Sequence, residues 1–222
     1  MLQSSVELAY WIGLVQADGS LTYKKLKNGN IQKKLTMSSI SKTLIKEFQK
    51  GLKFIDRFPT YYRRRTIAAY GCDAGVNKVA NLLDNWNIIH LKKFFKPTEF
   101  ITKNKELFGS YLAGVIDGDG DIRIKRKKYP QCVIRISSGS NQPILISEIK
   151  KFFNCAVSET KRIRHKLRNN KVVTHTWYEL EFLVSSKNID FILNFLLPNI
   201  KLDYKRNKII SFLNKSNALA GI

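Results

Sequence analysis

Two aspartates, Asp18 and Asp119, stand 101 residues apart, each followed by glycine and each closing a short apolar run. The runs read Y-W-I-G-L-V-Q-A-D-G over 10–19 and Y-L-A-G-V-I-D-G-D-G over 111–120. On a helix each aspartate falls in the last turn, where a carboxylate opposes the macrodipole at a cost of about 0.3–1 kcal/mol. If the two helix ends meet, the carboxylates also repel each other. A local rule broken in the same way twice marks a site rather than an accident. A divalent cation between the carboxylates removes both penalties. Asp117 is the other acidic candidate, but its counterpart in the first run is Gln16, so it lacks the twofold repeat. The three histidines (His90, His165, His175) and three cysteines (Cys72, Cys132, Cys155) show no metal-ligand or disulfide spacing, which leaves the carboxylates as the chemical centre.

The same runs carry the means of bringing the aspartates together. Gly13 and Ala17 stand four apart, as do Gly114 and Gly118, so each helix has small residues on one face. Glycine within a helix costs about 1 kcal/mol against alanine, and close approach of a second helix explains it. The two helices are therefore expected to pack small face to small face. Gly19 and Gly120 suit a left-handed helix stop.

After each run the pattern changes to alternation. Leu21 and Tyr23 alternate with Thr22 and Lys24, Asn28-Gly29-Asn30 reads as a hairpin turn, and Leu35 and Met37 face away from Gln32, Lys34 and Ser38. Ser41 caps a helix to about Leu52; a second hairpin covers about 54–72, and a helix beginning at Asp73 or Gly75 runs through Trp86. The second copy repeats the order. Ile122 and Ile124 alternate with Asp121, Arg123, Lys125 and Lys127, and Tyr129-Pro130 marks the turn. Ile134 and Ile136 alternate with Arg135 and Ser137, on whose strand Gln131 also lies. A helix over about 141–153, a long hairpin over 155–184 turning at Asn169-Asn170, a helix over 187–197 and a terminal helix from about Tyr204 complete it.

The net charge is +22. Through Ile101 there are 17 basic against 7 acidic residues, and 22 against 10 after it, so the excess is no basic tail. A polyanion, most simply nucleic acid, is the expected partner. A membrane partner is not expected, since the charge alternates along hairpins rather than lining an amphipathic helix. There is no run long enough to span a bilayer and no secretory signal pattern, so a soluble intracellular protein is expected.

Both runs resemble the LAGLIDADG motif of homing endonucleases, in the single-chain form with two copies. Leu112-Ala113-Gly114-Val115-Ile116-Asp117-Gly118-Asp119-Gly120 follows the consensus closely, and the first copy departs most at Gln16. The resemblance covers essentially the whole chain. It implies an α+β fold of two αββαββα modules related by a pseudo-twofold, with antiparallel sheets forming a DNA-binding saddle. The first module would span 1–95, a linker 96–105 and the second module 106–222. The implied activity is site-specific double-strand cleavage by an intron- or intein-type enzyme acting as a monomer. An RNA maturase, assisting its host intron RNA, or a non-cleaving DNA-binding protein of the same fold is the alternative. The implied cofactor is Mg2+, two or more ions, held by Asp18 and Asp119 with Ala17 and Gly118. The implied catalytic set adds one basic residue per module: Lys92, and Lys205 with Lys201 and Arg206 as rivals. An organelle or a microbial cytoplasm would house it.

The hairpin alternation then acquires a role, because a two-stranded ribbon fits the B-DNA major groove. The outward sets are Thr22, Lys24, Gln32, Lys34 and Ser38 in the first copy. In the second they are Arg123, Lys125, Lys127, Gln131, Arg135 and Ser137. Arg63, Arg65, Arg162 and Arg164 would extend this surface along phosphates.

Overall fold

The computed structural model describes residues 5–63, 68–88, 94–126, 128–168 and 171–220, the side chains of 60–63, 168, 171 and 216–220 excepted. Helix α1 (Val6–Asp18) starts where the Ser5 side chain accepts the Leu8 N–H, and α5 (Lys105–Asp119) starts where Asn104 caps Glu106 and Leu107. Leu8 through Ala17 and Leu107 through Asp117 are buried without a break. A helix buried on all sides has no polar face to show, and these two form the centre of the molecule.

Each central helix feeds directly into a four-stranded antiparallel sheet. The first sheet has strands β1 (Gly19–Lys25), β2 (Ile31–Ser39), β3 (Thr60–Arg63) and β4 (Tyr70–Gly75) in the order β1-β2-β4-β3. The second has β5 (Gly120–Lys125), β6 (Gln131–Ser138), β7 (Val157–Arg168) and β8 (Lys171–Leu183) in the order β5-β6-β8-β7. The identical order is the expected duplication made visible. Register pairs Leu21 with Leu35 and Gly19 with Met37, and Ile122 with Ile134 and Gly120 with Ile136. One face of each sheet is therefore apolar. Helices α2 (Lys42–Gly51) and α6 (Pro143–Phe153) contribute Leu44, Ile45 and Phe48, and Leu145, Ile149 and Phe153, to the core.

Several local expectations need correction. Gly19 and Gly120 are not left-handed stops: their φ values are −69° and −91° with ψ 160°, extended backbone that opens β1 and β5. They must be small for another reason, since an added Cβ would lie 2.6 Å from the Val15 carbonyl oxygen and 2.6 Å from that of Ile116. Asp73 and Gly75 lie in β4 rather than opening a helix, because pairing with Thr36 and Lys34 claims their backbone; α3 runs only Ala80–Asn85 after a 3-10 turn. The span 96–105 contains a short helix α4 (Glu99–Thr102). The expected 187–197 helix is broken into α7 (Ile189–Phe191), a π turn over Ile192–Leu196 and a 3-10 turn over Leu197–Asn199. Pro198 supplies no N–H to continue the α-helical ladder, and the Asn199 amide instead donates to the Phe195 carbonyl at 2.8 Å. The last helix, α8, spans Asp203–Ala220.

Candidate active site and nucleic-acid interface

Helices α1 and α5 touch backbone to backbone. An added Cβ on Gly13 would lie 2.1 Å from the Tyr111 carbonyl oxygen, and one on Gly114 would lie 2.1 Å from that of Tyr10. The contact is symmetric, because Gly13 and Gly114, like Tyr10 and Tyr111, are 101 residues apart. At the far end the Gly118 Cβ position is 2.5 Å from the Ala17 Cβ and 3.6 Å from the Asp18 carboxyl carbon. Asp18 thus lies against the residue that precedes Asp119, and both aspartates are half-buried. Among the described residues no group of three His, Cys, Asp or Glu side chains could hold a metal ion. The centre brings two carboxylates to adjoining helix ends, an oxygen-only donor set. That donor set suits Mg2+, which keeps much of its water and takes one or two protein carboxylates.

The motif position before the aspartates has its own paired role. The Tyr10 hydroxyl donates to Asp117 Oδ2 at 2.8 Å, and the Tyr111 hydroxyl donates to Gln16 Oε1 at 2.7 Å, each crossing to the other helix. Gln16 also takes the Lys96 N–H at 3.0 Å and donates to the carbonyls of Trp86 and Lys96. Asp117 takes the Lys201 N–H at 2.7 Å and the Leu202 N–H at 3.4 Å. Gln16 and Asp117 therefore tie down equivalent segments, one following α3 and one leading into α8. Burial pushes the Asp117 carboxyl up, against these hydrogen bonds and the Lys205 charge. The sequence showed an acid without a counterpart; the structure shows two amide or acid oxygens doing the same work.

Lys205 is 3 % exposed, and its Nζ donates to the carbonyls of Ile116 at 2.6 Å and Asp117 at 2.9 Å. It thus caps the C-terminus of the helix that carries Asp119, where a cation is favoured. Burial pushes its pKa down, while the charges of Asp117, Asp18, Asp121 and Asp119 push it back up, so it lies in the field of both site carboxylates. Its rivals are engaged elsewhere: the Lys201 ammonium sits 5.6 Å over the Tyr10 ring, and Arg206 pairs with Asp203. Lys92 lies outside the described residues. Replacing Lys205 with Met should remove a buried donor from both carbonyls, of which Ile116 keeps the Gly120 N–H, lowering unfolding free energy by about 1–3 kcal/mol. Chemical denaturation checks this, and a wild-type midpoint would remove Lys205 from the helix end.

On the first sheet, Thr22 pairs with Lys34 and Lys24 with Gln32, on the face opposite Leu21 and Leu35. Ser38 shares that face and donates to the Tyr70 carbonyl at 3.4 Å, and Lys34 stands 3.6 Å from Asp73. On the second, Arg123, Lys125, Gln131, Arg135 and Ser137 share the outward face with Arg162 and Arg164 of β7. Arg65 and Lys127, and the side chain of Arg63, lie outside what is described.

Sequence reasoning put Asp121 on this face without giving it a role, and missed Glu179 and Glu181, the other acids interleaved with these cations. Asp121 takes Arg123 Nε at 2.5 Å and Arg135 Nη2 at 3.4 Å; Glu179 takes Arg135 Nη1 at 2.8 Å and Arg162 Nε at 3.0 Å; Glu181 takes Lys125 at 2.7 Å. The signal was present in Glu179-Leu180-Glu181-Phe182, whose alternation puts both glutamates outward. Burial alone would raise the Asp121 carboxyl, but the hydrogen bond and charge of Arg123, with Lys208 and Arg135, hold it below the usual range. Glu179 is held low in the same way by Trp177, Arg162 and Arg135.

No protein-family model and no curated protein matches the sequence. Solved structures do. Mesophilic variants of the homing endonuclease I-DmoI match at 20% identity and TM-score 0.55, over 86% of this chain and 95% of theirs; I-DmoI has also been solved in complex with DNA and Mn. The homing endonuclease I-WcaI bound to its DNA recognition sequence matches at 18% identity and TM-score 0.54, over 93% of this chain and 88% of that one. The I-LtrWI LAGLIDADG homing endonuclease bound to target DNA matches at 16% identity and TM-score 0.50, over 95% and 92%. What these likenesses establish is the shared fold. No helix among the described residues is long and apolar enough to cross a membrane.

Proposed function

We propose that this chain, which has the fold of the LAGLIDADG homing endonucleases, is a monomeric, Mg2+-dependent endonuclease that cuts both strands of a specific DNA site. One observation carries the reading: Asp18 and Asp119 end two symmetric helices in backbone contact, and each helix runs straight into a sheet with a basic outward face. Asp18 and Asp119 would hold the metal, with the main chain of Ala17 and Gly118 beside them. The bound metal would activate water and neutralise charge on the phosphoryl group. Lys205 and Lys92 would supply cationic stabilisation, one for each strand, with Lys205 acting from its place at the end of α5. The sheets would set the duplex in register over the carboxylates, using the outward cations for bases and phosphates.

The test is cleavage of a plasmid bearing a site recovered by selection from random duplexes, with Mg2+ and with chelator. Linear product with Mg2+ alone supports the reading. Tight, sequence-specific binding with no cleavage in any divalent metal would instead make the chain a non-cleaving DNA-binding protein.

A salt prediction follows from the division of charge. Affinity should fall by about a thousandfold or more between roughly 50 and 200 mM salt, as when several phosphates are contacted. Arg164→Ala should weaken binding to all sequences alike and reduce the slope by about one. Fluorescence anisotropy over a salt series checks both, and a flat series would exclude a phosphate-tracking surface.

A further inference from the structure

Five side chains on the outward face of the second sheet form one continuous chain of charge. It runs Arg123–Asp121–Arg135–Glu179–Arg162 and crosses β5, β6, β8 and β7. The two ends are built alike. Arg123 and Arg162 each donate Nε to a carboxylate, and among the described residues nothing takes their terminal nitrogens. Arg135 is the reverse: both terminal nitrogens are taken by carboxylates, its Nε has no partner, and its side chain is only 15% exposed. The end arginines are about half-exposed, at 46% and 50%.

A guanidinium anchored at Nε still presents two parallel terminal N–H groups. That fork matches the O6 and N7 acceptors of guanine in the major groove. Anchoring also removes rotamer freedom before DNA arrives, so less ordering cost falls on the binding step. The carboxylates have a second effect. An anion beside the base edges disfavours any register that leaves it facing acceptors or phosphates. Strands β1, β2 and β4 of the first sheet contain no arginine, and their outward positions carry lysine, glutamine and hydroxyl side chains with one acid, Asp73, beside Lys34.

We propose, resting on the DNA-endonuclease reading, that Asp121 and Glu179 are specificity-determining residues that hold Arg123 and Arg162 as two guanine readers. Arg135 is the strut that couples them and reads no base. The second sheet thereby supplies the sharper discrimination, and the first contributes more to affinity than to choice.

The experiment is selection from random duplexes by the full chain without divalent metal, comparing wild type with Asp121→Asn and Glu179→Gln. Wild type should return guanine at two positions in one half-site. Asp121→Asn should reduce the preference at one of them by about tenfold, and Glu179→Gln at the other, with every remaining position unchanged. Arg123→Lys and Arg162→Lys identify which position belongs to which arginine. Glu179 is buried, so if its variant fails to fold the half-exposed Asp121 carries the test alone. Unchanged preferences in Asp121→Asn would overturn the proposal. So would an equal loss at all positions accompanied by a lower melting temperature, the signature of a purely structural role. A wild-type pool with no preference anywhere would instead overturn the endonuclease reading itself.

Discussion

Asp18→Asn and Asp119→Asn should each lower double-strand cleavage by more than about a hundredfold, since loss of even an outer-shell group at a metal site costs about 10–100-fold. Specific DNA binding should survive, because the substitution keeps side-chain volume and the sheets are untouched. Removing an anion close to phosphates should if anything tighten it. The two variants should behave alike, since each aspartate ends an equivalent helix in the same contact. Single-turnover cleavage with each strand labelled, alongside anisotropy on the same duplex, measures both quantities. Wild-type cutting by both variants would place the active centre elsewhere.

Gly13→Ala and Gly114→Ala should each cost more than about 3 kcal/mol of unfolding free energy, above the usual 1–3 kcal/mol of overpacking. The added methyl would meet a carbonyl oxygen at 2.1 Å in both cases. The obstacle is the backbone of a buried helix, which cannot rotate away as a side chain can. Relief requires moving the helices apart, and that separates the ends bearing Asp18 and Asp119. Cleavage should therefore fall with stability. Gly75→Ala, where an added Cβ meets nothing within 4 Å, is the control and should stay within about 0.5 kcal/mol of wild type. Urea denaturation of the three variants decides it; a small effect at Gly13 and Gly114 would mean that the helices part easily.

Much of this design was legible in the sequence because its signals are local. The doubled small-residue run fixed two buried helices, since four-residue spacing of glycine and alanine serves close helix contact and little else. Period-two alternation around Leu21, Leu35, Ile122 and Ile134 fixed which strand face is buried, because a one-residue slip would turn the apolar set to water. The charge excess, even across both halves, is the ground for expecting a polyanionic partner.

Other features required the tertiary structure, since they arise between residues far apart in the chain. Gln16 and Asp117 differ in chemistry, and only the crossing hydroxyls of Tyr10 and Tyr111 reveal them as equivalents. Gly19 and Gly120 carry the residue type of a helix stop, yet strand pairing with Met37 and Ile136 sets their backbone instead. Lys205 reads as one more surface cation, and only the docking of α8 shows it buried against the carbonyls of α5. The outward arginines were visible as a pattern, but apart from Asp121 beside Arg123 their partners come from other strands. Asp121 and Glu179 are separated by 58 residues and meet through Arg135 alone. Periodicity assigns a side chain to a face; it carries no information about which neighbour will share its proton or its charge, and that is decided when the strands pair.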